Sequence, residues 1–526
     1  MSRQTIAWVL LAAAGAPAAR GETPAEYLRR LPRPVFAAGH TLPPLTRYGW
    51  TLPLDARVEL AEHWGYCLEF GGYTTEKVVA RLDDPNSIES KLVALAASDP
   101  KRYPLCVICS RDLPTDVSPG TWTRTADGRL VSDKGEVQEP NQPGKAARRT
   151  WSPEAPDSVF REAGRLRADP IRKVRAKAPI AIVLNGGEYA LSVPGHHAKA
   201  WSLDPRIVKA KGDMSWFEYV SRQKARQEGA ISEAVRRAVP DRTLYIYYPC
   251  GGGTHRNRWG GWPEWCWGYQ WMHPISDLPS NETYYKHFNT GWAGEIDMLT
   301  MALNAKGHEI ALARPLSYNW LCAGWPRGDD PNAGLGDLAL YLGFLKCYYA
   351  AGMIGGNAGY YAYPKGGFGA AFGADAPPHW LRQMVALARV HALFSHLEGY
   401  LREGDLLPGP NRHRWSKDQP AYELPTGQPA TRVVARRMRK APKWLLAAWA
   451  ADGQARRVTV SVPDLGEVAL DARPCGSVYR AELAGGAARV ELIDRDGLLP
   501  TTAGLRTWHG HPAHASHGHL ARGLRP

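Results

Sequence analysis

From about residue 36 to 400 the chain repeats one rhythm: a short apolar run, a polar or Gly/Pro-rich stretch, then an amphipathic segment with helical spacing. The strand-like runs are 40–50, 66–73, 105–114, 179–191, 243–253, a weaker one near 282–292, then 315–325 and 353–364. Helical patterns fall between them at 55–65, 214–239, 336–352 and 378–401. Such β-then-α alternation over about 365 residues predicts an α/β fold, a (β/α)8 TIM barrel with long loops. A doubly wound open sheet is the alternative, but no GxGxxG or phosphate loop opens any of the helices. Several strand runs begin apolar and end in polar, Gly or aromatic residues, as in "IAIVLNGGEYA" and "LYIYYPCGGG". That polarity is expected where the loops at strand C-termini build a site.

The barrel is expected over 36–405. After a Pro/Arg-rich connector the pattern changes to short strands joined by turns, predicting a small antiparallel β-domain over 428–500. The tail 501–526 carries His509, His511, His514, His517 and His519 and is expected to be disordered. At the other end, Arg3, the apolar run 6–15 and Ala16-Pro17-Ala18 read as a signal peptide over about residues 1–20. The expected location is therefore secreted or periplasmic, in a bacterium. No stretch reaches the roughly 20 apolar residues of a membrane span. The eight cysteines are scattered rather than spaced as a disulfide scaffold. Cys106 and Cys109 form a CxxC within a strand run, where positions three apart face opposite sides. Buried thiols are expected, with room for one bridge.

The formal charge is +14, yet Lys and Arg are dispersed and no nucleic-acid-binding motif appears. No nucleic-acid partner is expected, and an anionic substrate fits the charge better. The aromatic residues point the same way: 20 Trp and 23 Tyr against 9 Phe, a bias toward rings with a polar edge. The stretch "RWGGWPEWCWGYQW" (258–271) holds five of the tryptophans with neither helical nor strand period. Sugars present flat C–H faces to such rings, so Trp259, Trp262, Trp265 and Trp267 are candidate stacking groups. Arg256 and Arg258 just before them suit bidentate capture of sulfate or carboxylate. The competing reading is a long loop packing its own rings.

On this fold the carboxylates at strand C-termini carry the chemistry. Glu188 follows "IAIVLNGG", so an apolar strand delivers it to the mouth in a setting that raises a carboxyl pKa toward proton donation. Glu282 sits beside Tyr284, Tyr285, Lys286, His287 and Asn289, and is preferred as the second carboxylate. Glu295, Glu69 and Asp112 are alternatives, as is Asp277 in the same segment as Glu282. Asn185, His287 and Trp320 complete the expected substrate contacts. With no HExxH and no GxSxG, a carboxylate pair is the natural machinery, and no metal or cofactor is expected. A carboxylate separation of about 5–5.5 Å gives retention and about 6.5–9.5 Å inversion.

Residues 36–400 resemble secreted (β/α)8 glycoside hydrolases of the retaining clan-A type. "LNGGE" (184–188) is similar to the Asn-Glu pair that ends strand four in that clan, which implies Glu188 as acid/base. Two glycines separate Asn185 from Glu188, a departure from the clan pattern. The clan's nucleophile ends strand seven, where "PLSYNWLCAGW" has no carboxylate; the next are Asp329 and Asp330. Glu282 or Glu295 then replaces it. The aromatic loops and basic charge are similar to agarase- or carrageenase-type galactan hydrolases. The resemblance implies hydrolysis of a polysaccharide, in this case an anionic one. A non-catalytic carbohydrate-binding barrel is the alternative, as is a polysaccharide lyase using Lys286, Tyr284 and Arg258.

Overall fold

A computed structural model of the protein describes residues 22–46, 52–70, 73–110, 123–124, 130–131, 154, 156–186, 205–240, 242–248, 271, 274–280, 282–284, 291–311, 315–322, 338–358, 381–413 and 419–494. Strands β1 (Leu68–Glu69), β2 (Leu105–Ile108), β3 (Ile182–Gly186) and β4 (Leu244–Tyr248) pair in that order, every pair parallel. A second parallel sheet joins β5 (Glu282–Tyr284), β6 (Ser317–Cys322) and β7 (Met353–Ala358). Leu45 makes a parallel bridge to Tyr66 ahead of β1. Residues 277–279 stand between the sheets: Asp277 N donates to the Tyr245 carbonyl at 2.9 Å, and Tyr318 N to the Pro279 carbonyl at 2.8 Å. Among the described residues no backbone hydrogen bond joins β7 to the chain around Leu45.

Helices stand at the segments whose spacing predicts them, 55–65, 214–239, 336–352 and 378–401, and at others besides. They include α1 (Leu54–His63), α2 (Ile88–Ser98), α3 (Asp157–Arg175), α4 (Trp216–Ala238), α5 (Gly291–Ala311), α6 (Leu338–Ala350), α7 (Arg382–Ser395) and α8 (Glu398–Glu403). α4 starts where Ser215 Oγ accepts from Glu218 N at 3.1 Å, with Glu218 also favouring the positive helix end. The predicted helix 378–401 is two: the chain leaves α7 at His396 and Leu397 and restarts as α8.

Why β2 reads as an unbroken apolar run follows from its coverage. Residues of a strand alternate between faces. Cys106 and Ile108, with Ile182, Leu184 and Ile246, pack into one core that also holds Leu45, Tyr66, Tyr318, Leu321 and Ile354 from both sheets. Leu105, Val107 and Cys109, with Val183 and Tyr245, face a second core under α2, α3 and α4. Both faces are dry, as parallel sheets require. The same alternation places Cys106 and Cys109 in different cores, both as free thiols. Cys67, Cys347 and Cys475 are likewise buried free thiols.

The antiparallel sheet expected near the C-terminus is present. β8 (Gly404–Leu406), β9 (Thr431–Met438), β10 (Lys443–Ala450), β13 (Ser477–Ala484) and β14 (Ala487–Leu492) pair in that order. The hairpin of β11 (Arg456–Val462) and β12 (Gly466–Ala472) covers one face, its Val458, Val460, Val468 and Leu470 meeting Trp444 and Leu446. The other face of β10 lies on α6. Leu445, Ala447 and Trp449 join the core of the parallel sheets, and a Cβ on Gly343 would stand 2.1 Å from Trp449 Cδ1. α6 also sends buried Lys346 to Asp494 at 2.7 Å. Arg436 of β9 gathers the carbonyls of Tyr400, Leu401 and Gly404 at 3.0, 3.0 and 2.7 Å, and that of Ala350 at 3.4 Å. It thereby adds a donor to carbonyls at the ends of α6 and α8, that of Tyr400 also accepting from Gly404 N. Among the described residues no helix is long and apolar enough to cross a membrane.

Candidate functional site

Two of the expected site residues meet through the backbone. Glu282 opens β5 and stands in register with Trp320 of β6, so residues 38 positions apart in the chain (320 minus 282) are neighbours on parallel strands. Glu295 lies in the first turns of α5. Glu188, Asp112, His287, Arg256, Arg258, Trp259, Trp262, Trp265 and Trp267 lie outside the described residues, as do the leader 1–20 and the tail 501–526. So do Lys286, Asp329 and Asp330.

Glu69 ends β1 on the face of its register partner Cys106, the face that packs into the core shared by both sheets. It is buried, and its carboxylate adds to the burial that pushes the Cys67 thiol upward. Arg57 of α1 fixes this strand end, donating Nη1 to the Glu69 carbonyl at 3.2 Å and Nε to the Leu52 carbonyl at 2.7 Å. One strand over, Ser110 continues the face of Cys106 and Ile108; it is buried, and its Oγ has no hydrogen-bond partner among the described residues. Glu69 thus lies level with Cys106, and Ser110 four residues beyond it on the same face.

Asn185 is turned elsewhere. Ile182 and Leu184 take the interior face of β3, so Asn185, like Val183, points to the helix layer. There its Nδ2 donates to Glu228 Oε2 at 3.0 Å and to the Tyr245 hydroxyl at 2.7 Å, while Arg167 Nη1 donates to its Oδ1 at 3.4 Å. Lys224 Nζ and Gln227 Nε2 reach Glu228 Oε1 at 3.0 and 2.9 Å. The expected substrate contact is therefore corrected: alternation along β3 commits this amide to a buried ionic network behind the strand. Burial pushes the Tyr245 phenol well up and the Cys109 thiol to about 12, so neither ionises near neutrality. Asp277 is also structural, its Oδ2 accepting from Tyr245 N at 2.6 Å and its Oδ1 from Arg236 at 2.6 Å.

The ionic residues of this network were hidden in plain helical pattern. Lys224 and Glu228 look like a solvated i,i+4 pair, but Lys224, Glu228, Ile231 and Val235 fall on one stripe with the apolar core. That phase is the signal that finds them. A second polar knot lies on β7: Gly355 N donates to the Tyr349 hydroxyl at 3.1 Å, which in turn faces His391 Nδ1 at 3.2 Å. Burial holds the His391 imidazole down at about 3, keeping it neutral.

Of the Trp-rich run, Trp271 is described. It is half-buried, and the Arg222 guanidinium of α4 stands 5.4 Å from its ring centroid. This ring packs against its own helix layer.

No family model matches the chain, and no curated protein matches it. Solved structures give distant likenesses. A noncanonic maltogenic α-amylase from Thermotoga neapolitana is 10% identical, with 90% of this chain and 96% of that chain covered and a TM-score of 0.36. An α-galactosidase from Geobacillus stearothermophilus is 12% identical, with 89% and 58% covered and a TM-score of 0.40. An agarase is 12% identical, with 66% and 49% covered and a TM-score of 0.37, so this chain spans about half of that enzyme.

Proposed function

We propose that the protein is an exported glycoside hydrolase that cleaves a polysaccharide on a (β/α)8 barrel, with a C-terminal β-domain attached. The observation that carries the reading is the shared interior: parallel strands from both sheets send alternate residues into one core, and Glu69 and Ser110 sit at the C-terminal ends of β1 and β2. On such an architecture chemistry gathers at those ends. β3 is described as far as Gly186, two residues before Glu188, and Glu282 is in register with Trp320. Glu188 is assigned as the general acid/base and Glu282 as its partner, with the rings and guanidiniums of 256–267 gripping a sulfated or carboxylated galactan.

Glu188→Gln tests it. Turnover of the polysaccharide, followed by release of reducing ends, is expected to fall by about 10²–10⁴-fold with binding retained. Full activity in the variant removes the assignment. Binding by the parent without any release of sugars favours a non-catalytic carbohydrate-binding barrel, consistent with β6 (Ser317–Cys322) holding no carboxylate.

A further inference from the structure

Away from the parallel strands, the five-stranded sheet carries a hollow of about 170 Å³ walled by Tyr400, Lys443, Arg480, Glu482, Arg489 and Glu491. Strand register assembles it. Lys443 of β10, Glu482 of β13 and Arg489 of β14 form one cross-strand row, and Arg480 and Glu491 lie in the next pair but one along the same strands. Residues two apart share a face, so all five charged side chains rise on one side of the sheet. Tyr400, from α8, brings a half-buried ring to the same hollow.

The charges are unequal, three cations to two carboxylates. Arg489 reaches Glu482 at 3.8 Å, while Lys443 and Arg480 make no ion pair among the described residues. An aromatic ring lining the same hollow as two cations outside any ion pair, with carboxylates alongside, has a specific chemical complement. The cations take one anionic group, the ring takes an apolar C–H face, and the carboxylates accept hydroxyl donors. A peptide or a simple anion uses only part of that set.

We propose that this hollow is a subsite for a single acidic sugar unit, a uronate or a sugar sulfate, held by Lys443 and Arg480 and packed on Tyr400. It needs no hydrolysis and uses none of the residues assigned to it. Isothermal titration of the full chain tests it, in the uncleaving Glu188→Gln background, with tetragalacturonate and a sulfated galactan tetrasaccharide as probes. A neutral agarose tetrasaccharide is the control.

The Lys443→Gln/Arg480→Gln double variant is expected to bind one equivalent fewer of an acidic probe, its affinity at that site falling by about tenfold or more. Tyr400→Leu is expected to weaken the same equivalent, and added salt to weaken it in the parent. Both cations are exposed, so an unchanged melting temperature shows that the variant is folded. Which acidic probe supplies the lost equivalent tells carboxylate from sulfate. The inference is overturned by unchanged stoichiometry in the folded variant, by no binding of either acidic probe to the parent, or by equal binding of the neutral control. Hydrolysis of the polysaccharide by the double variant in an otherwise unaltered chain is expected to proceed, so failure here and failure of the proposed activity read out separately.

Discussion

Behind β3, Arg167, Lys224 and Glu228 are at most 1% exposed, whereas on the hairpin of β11 and β12 Arg457 and Asp471 face each other at 3.6 Å with 71% and 62% of their side chains in solvent. Both are opposite-charge arrangements, and they do different physical work. The hairpin pair is screened by water and contributes little. The buried set has surrendered its hydration, so each charge is tolerable only through its partners. Buried Lys306 repeats the theme on α5, paired with Glu309 at 2.9 Å, and burial pulls its pKa down. The difference teaches that behind β3 partnered charge specifies how helices seat on a strand, while on the hairpin of β11 and β12 apolar alternation does the packing and charge marks the outside.

Removing one partner breaks the comparison most sharply. Glu228→Ala removes the carboxylate that Arg167, Lys224 and Asn185 share. Urea unfolding is expected to show a loss of about 3–5 kcal/mol. A loss under about 1 kcal/mol shows that the network is solvated after all.

Acid sharpens the contrast by a smaller amount. His391, fully buried, has its folded-state pKa held down at about 3, below the ordinary value near 6.5. The unfolded chain therefore takes up the proton first, and stability present above pH 6.5 is lost as pH falls toward 3. Between pH 6.5 and 5 the histidine accounts for about 2 kcal/mol. His391→Gln is expected to flatten that part of the stability–pH curve, and an unchanged slope in the variant disproves the assignment.

At the small end lies Arg457→Gln. Its exposed pair with Asp471 is expected to contribute under about 1 kcal/mol, read as a shift in denaturation midpoint that shrinks further in high salt. An effect comparable to that of Glu228→Ala erases the distinction between the regions.

The same contrast governs what could be read in advance. β11 and β12 alternate buried and exposed residues, so period two was visible in "RRVTVSV" and "EVALDA". The parallel strands were visible too, as apolar runs between helical patterns, but an unbroken run does not say which residue faces which core. That is why Asn185 was expected at the mouth and stands instead against α3 and α4. β8 is three residues long and pairs with β9 across a connector, too brief for any pattern to mark it. The hollow on the C-terminal sheet is a product of register, joining residues from three strands and a helix. Glu282 beside Trp320 is the exception: two residues chosen singly from sequence are brought together by strand pairing.

One guanidinium has a wider consequence. Because Arg436 stands on β9 yet completes the carbonyls at the ends of α6 and α8, the C-terminal sheet is not an interchangeable module. Deleting it would take the Arg436 donor from the carbonyls of Ala350 and Leu401 and bare the surface of α6 around Gly343 that Trp449 covers. Inheritance and engineering alike must treat this sheet and the parallel-sheet region as one indivisible unit, and recombination between relatives should cut elsewhere.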